Sequence, residues 1–113
     1  TYVTDVVDAM IKASRSKTKN RIYNVGSGKT ISVNKIVKLL GGKKIYIPKR
    51  PGEPDCTFAD INKIKKDLKW KPKITIEEGI KRLIKNLDYW KKGPVWTPSL
   101  IKKQTKSWYK YLK

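Results

Sequence analysis

Beyond its first 25 residues, glycine and proline punctuate this chain and mark the ends of most of its regular elements. Gly26 and Gly28, Gly41-Gly42, Pro48, Pro51, Pro54, Pro72 and Gly93-Pro94 fall between its apolar runs. Each either frees φ or removes a backbone donor. A chain of 113 residues cut this way can form one small domain of short elements, burying roughly two-thirds of its unfolded surface.

Between the breaks, helical and strand patterns alternate. Thr4 can cap a helix carrying Val6, Val7, Met10, Ile11 and Ala13, with Asp5 and Asp8 near its positive end. Polar residues 14–20 break it, and residues 21–25 read as a strand stopped by Gly26 and Gly28. Ser32 is the expected cap of a second helix with Val33, Ile36, Val37 and Leu40 on one face. Residues 43–47 place Ile45 and Ile47 on alternate positions, a strand pattern that Pro48 closes. After a proline-rich loop over 48–58, Asp60 can cap a short helix bearing Ile61, Ile64 and Leu68. Thr75 and Glu78 form a capping box, with Ile74 where a hydrophobic staple would begin and Gly79 where its partner would sit. That helix runs on through Ile80, Leu83, Ile84, Leu87 and Trp90 to Gly93-Pro94. A last helix is expected from Thr97 and Pro98 through Leu100, Ile101, Trp108 and Leu112.

Composition removes several kinds of chemistry. There is no histidine, and Cys56 is the one cysteine, so disulfide frameworks, zinc sites and Ser-His or Cys-His catalysis are excluded within these residues. With no base to activate it, the Cys56 thiol reads as inert. No apolar run approaches the roughly 18 residues of a membrane span, and a cytoplasmic setting is expected. The start at Thr1, already at the entry to a helix, suggests a fragment.

The net charge of +19 invites a nucleic-acid reading. Only Arg15, Arg21, Arg50 and Arg82 among the 28 basic residues are arginine, and the lysines are spread along the whole chain. A dedicated nucleic-acid surface concentrates its charge and favours the arginine fork, so solvated faces are the better account. A free-standing basic module binding RNA or DNA, with Trp70, Trp90, Trp96 and Trp108 as stacking surfaces, is the alternative. Tryptophans on apolar stripes are more often core.

Two motifs raise phosphate binding. Gly26-Ser27-Gly28-Lys29-Thr30 ends like a P-loop, but the glycine required five positions before Gly28 is Tyr23. A glycine turn ahead of the Ser32 cap is the better reading. Arg50 follows a strand end in a loop stiffened by Pro48, Pro51 and Pro54, where a guanidinium can grip diphosphate oxygens in bidentate fashion. Glu53 offers acceptors suited to ribose hydroxyls. Taken alone, a surface arginine and glutamate in a turn would be the commoner account.

Order changes that balance. Residues 2–9 (YVTDVVDA), 23–28 (YNVGSG), 50–53 (RPGE), 59–63 (ADINK), 70–72 (WKP) and 75–79 (TIEEG) resemble, in sequence and spacing, the C-terminal part of the extended short-chain dehydrogenase/reductases. These are the NAD-dependent nucleotide-sugar epimerases and dehydratases, with the UDP-glucose 4-epimerase type as the best-known branch. The likeness covers about residues 1–90. It implies an α/β fold: a small substrate-binding lobe of helices with a few short strands, residues 1–93, followed by a helical extension over 94–113.

The resemblance also implies roles. Arg50 would contact the substrate diphosphate, Glu53 the nucleotide ribose, and Thr57 the edge of the sugar pocket. Asn24, Asp60 and Trp70 look like turn, cap and packing residues. The family's N-terminal Rossmann domain holds NAD and supplies a Tyr-x-x-x-Lys pair. The resemblance places that pair and the GxxGxxG fingerprint upstream of these residues, with the arginine that family members often carry just before the Tyr2 segment; the Tyr-x-x-x-Lys spacing at Tyr109 and Lys113 lies beyond the stretch that carries the likeness. NAD is therefore expected on the missing N-terminal domain, which would be this lobe's partner beside a nucleoside diphosphate sugar. Catalysis is expected from no residue of this chain.

Overall fold

A computed structural model describes residues 1–49 and 51–111, and its regular elements are helical. They are α1 (Val3–Arg15), α2 (Val33–Leu40), α3 (Asn62–Leu68), α4 (Ile76–Lys85), a 3₁₀ turn (Leu87–Trp90), α5 (Pro98–Gln104) and α6 (Lys106–Tyr111). None is long and apolar enough to cross a membrane among the described residues.

The core is small. Ala9 of α1 packs with Ile61, Ile64, Leu68 and Trp70, and Tyr23 and Ala59 lean on the same cluster. Trp70, only 1% exposed, is the pivot. Its indole N–H donates to the Asp5 carbonyl at 3.1 Å. The buried Asp5 carboxylate accepts from the Ile74 amide at 3.0 Å, so the chain leaving Trp70 is clasped to α1 by main chain and side chain of one residue. A buried carboxylate is tolerable only when so bonded. Lys12 closes the other end of α1, donating to the Lys69 carbonyl at 3.1 Å.

The side-chain caps expected at Ser32, Thr75 and Thr97 form. Ser32, Thr75 and Thr97 accept from Lys35, Glu78 and Leu100 amides, each at 3.2 Å. Asp60 accepts from the Asn62 amide at 2.9 Å, one residue ahead of the geometric cap Ile61. Glu78 turns to Arg82, whose Nε donates to it at 3.0 Å. Gly79 is covered by the Tyr2 ring, whose nearest carbon would stand 3.1 Å from a Cβ there. That contact brings Tyr2 onto α4, and α1 begins at Val3 with Tyr2 as its cap instead of Thr4.

Several expectations need correction. The described residues are helical, as expected of the lobe, but the few short strands of the expected α/β fold do not occur among them. A strand exists only through a partner's amides and carbonyls. Residues 21–25 are held against α3 by side chains instead: Lys63 donates to the Ile22 carbonyl at 2.9 Å, Tyr23 to Asp67 at 3.1 Å, and Asn24 to the Asp60 carbonyl at 3.3 Å. Residues 43–47 also lack a ladder, and Ile45 and Ile47 are exposed. The helix starting at Thr75 narrows to a 3₁₀ turn after Lys85, and the last helix breaks at Thr105, with Leu112 outside the described residues. Among the tryptophans expected in the core, Trp70 is buried and Trp108 half-buried, but Trp90 and Trp96 are 57% and 58% exposed.

The surface is large for the length. The chain exposes 10114 Å². A self-contained domain of this size exposes about 6,400 Å², and the unfolded chain about 19,000 Å², so about half of the unfolded surface is withdrawn instead of two-thirds. The radius of gyration, 17.8 Å, likewise exceeds the roughly 13 Å of a compact chain of this length.

Candidate functional site

The loop over 48–58 follows residues 43–47 and precedes the segment that enters α3. Gly52 within it has φ of 76°, a left-handed conformation that glycine adopts without penalty. Arg50 lies outside the described residues. Glu53 is half-buried and lines a shallow hollow of about 460 Å³ together with Val33, Lys49, Pro54 and Asp55. Across the loop, the Lys49 ammonium meets the Asp55 carboxylate at 2.5 Å. The hydrogen bond from Lys49, and then its charge, hold the Asp55 carboxyl below its ordinary range. Thr57 and Cys56 are exposed, and Thr57 is not among the described residues that line the hollow.

The structure ties to this loop residues that the sequence did not connect with it. The Trp108 indole N–H donates to the Pro51 carbonyl at 2.8 Å, and the Tyr109 hydroxyl to the Pro48 carbonyl at 3.2 Å. These contacts span 57 and 61 positions of sequence, and no local pattern announces a pairing at that range. Lys49 and Asp55 were equally silent, as two charges among many.

A larger cleft, about 700 Å³, runs between the segment ahead of α2 and the start of α4. Lys29, Lys35, Lys73 and Glu77 give it charge, while Ile76 and Leu83 supply apolar wall. Lys35 and Glu77 pair across it at 2.7 Å, which joins α2 to α4.

The glycine turn can be tested directly as a phosphate or dinucleotide cradle. A Cβ at Gly26 would stand 2.6 Å from the Ala59 Cβ, and one at Gly28, where φ is +66°, 2.7 Å from the Ile61 Cδ1. The space above both glycines is therefore filled by this chain's own side chains. The turn has no room for a pyrophosphate, and the residues present do not fit NAD.

Comparison with known proteins agrees with the motif order. The sequence profile of the GDP-mannose 4,6 dehydratase family matches residues 1–83. The chain is similar to a UDP-glucuronate 4-epimerase of Thermodesulfobacterium geofontis, 41% identical over 91 residues, covering 74% of this chain and 28% of that protein. It is also similar to a putative UDP-glucose 4-epimerase of Methanocaldococcus jannaschii, 39% identical over 89 residues with 74% and 28% covered. A UDP-arabinose 4-epimerase of Arabidopsis thaliana is 44% identical over 82 residues, covering 65% of this chain and 19% of that one. The chain thus spans roughly a quarter of the length of these relatives. No solved structure matches it. With the motifs in order, the core built on them and a profile match over 1–83, the chain belongs to the nucleotide-sugar epimerase/dehydratase family of extended short-chain dehydrogenases/reductases.

Proposed function

We propose that this chain is the substrate-holding C-terminal part of an NAD-dependent nucleotide-sugar epimerase or dehydratase, and that it is not catalytic by itself. Arg50 grips the diphosphate, Glu53 accepts from the ribose hydroxyls, and Thr57 borders the sugar. Residues 1–93 form the lobe and 94–113 a helical extension. The observation that carries this reading is the half-buried Glu53 in a hollow of the 48–58 loop, inside the stretch shared with the family. NAD would be held by an N-terminal Rossmann domain, in the cytoplasm, and would supply the redox chemistry there. The residues here bind and orient, which contributes binding energy away from the reacting carbon. A field set by +19 draws in an anionic ligand.

The same proposal accounts for the open face of α1. Val3, Val7 and Met10 are exposed along that helix, while Asp5 and Ala9 turn inward. The N-terminal domain covers this face. Binding of UDP to the full-length protein, followed by calorimetry, tests the site. Arg50→Ala is expected to weaken it at least about tenfold, the size of one charge-assisted bidentate contact. Thr57→Tyr is expected to leave UDP binding intact and change the preference among UDP-sugars. Undiminished UDP affinity in Arg50→Ala would remove the proposed role.

A further inference from the structure

Trp108 and Tyr109 occupy consecutive positions of α6, and their polar tips reach the same stretch of backbone. The indole donates to Pro51 at 2.8 Å and the phenol to Pro48 at 3.2 Å. Both side chains are half-buried. Proline has no amide hydrogen, so the carbonyl is the one backbone group by which each of these two positions can be hydrogen-bonded. Their acceptors lie on either side of residues 49 and 50, two and five positions before Glu53.

The helix that delivers these donors is itself ordered. Thr97 caps α5 by accepting from the Leu100 amide, and the Thr105 hydroxyl donates to the Ile101 carbonyl at 2.8 Å, where α5 passes into α6. α5 and α6 adjoin end to end through Thr105, whose amide donates to the Ile101 carbonyl and whose carbonyl accepts from the Tyr109 amide. Both follow the residues matched to the family, which end at 83.

We propose that α6 is a strap on the substrate loop, with Trp108 and Tyr109 as positioning residues that set where Glu53 meets the ribose of a nucleoside diphosphate. The proposal rests on the reading of the loop given above. A loop tied at two carbonyls has lost part of its conformational freedom before the ligand arrives, so less is lost on binding. The strap acts through backbone position and touches no reacting atom.

Trp108→Phe keeps a ring and removes the N–H, and Tyr109→Phe removes the hydroxyl alone. In the full-length protein without ligand, amide hydrogen exchange over residues 49–53 is expected to quicken by roughly three- to tenfold in each variant, the factor carried by one lost hydrogen bond. Exchange in α3 should not change. Affinity for UDP is expected to fall by a similar factor in both, with the Phe variants melting as the parent does. Unchanged loop exchange in both variants would overturn the strap. Faster exchange with unaltered UDP affinity, in a protein whose Glu53→Gln variant binds UDP more weakly, would also overturn it. Should Glu53→Gln leave UDP affinity untouched, the reading of the loop fails, and the strap stands or falls on loop exchange alone.

Discussion

The missing side chains at Gly26 and Gly28 let residues 59–61 close over the turn that precedes α2. Two motifs far apart in sequence, 23–28 and 59–63, are thus halves of one contact, sealed by Asn24 donating to the Asp60 carbonyl. Glycine is needed at 26 for the approach of Ala59, and at 28 for both the approach of Ile61 and the positive φ. Gly26→Ala is expected to destabilise the protein by about 1–3 kcal/mol, the cost of overpacking a closed contact. Urea denaturation measures it, and an unshifted midpoint would show that Ala59 can move aside. Asp5 makes the complementary point. Its place on α1 reads as a charge favouring the helix start, yet its carboxylate is buried and spent on the Ile74 amide.

The starts of α2, α4 and α5 were legible because a cap is a local event. Ser32, Thr75 and Thr97 each bond an amide three residues on, and nothing distant needs to be known. How helices face one another was not legible. α2 and α4 meet through Lys35 and Glu77, 2.7 Å apart, two residues with no common motif. The Glu77 carboxyl is held below its ordinary value of 4.5, first by the hydrogen bond from Lys35 and then by its own backbone amide at the start of α4. Because the folded value is depressed, the link is fully present above the unfolded value and lost as pH falls through the folded one. Lys35→Met is expected to raise the Glu77 titration midpoint toward 4.5, followed by carboxyl carbon NMR. An unmoved midpoint would mean that the pair does not form in solution. Both groups are exposed, so the effect on melting should be slight.

On the scale of the whole molecule, the surface of 10114 Å² is the governing quantity. It exceeds that of a closed domain by about 3,700 Å². The chain is therefore expected to bind the dye ANS and to melt over a broad range. Scanning calorimetry decides it. A single transition with about 0.7 kcal/mol per residue for the isolated chain would show that its small core suffices.

What the sequence determined by itself was family membership, the order of the motifs and the caps of α2, α4 and α5. Those rest on residue identity and on interactions within a few positions, which a linear pattern records. The tertiary structure alone decided that residues 21–25 and 43–47 pair with nothing in a ladder, that α1 turns Asp5 and Ala9 inward and leaves Val3 and Met10 outside, and that Trp108 and Tyr109 hold the candidate loop. Each depends on which surfaces meet across long stretches of chain, and an amphipathic face or a tryptophan does not state its partner until the fold supplies one.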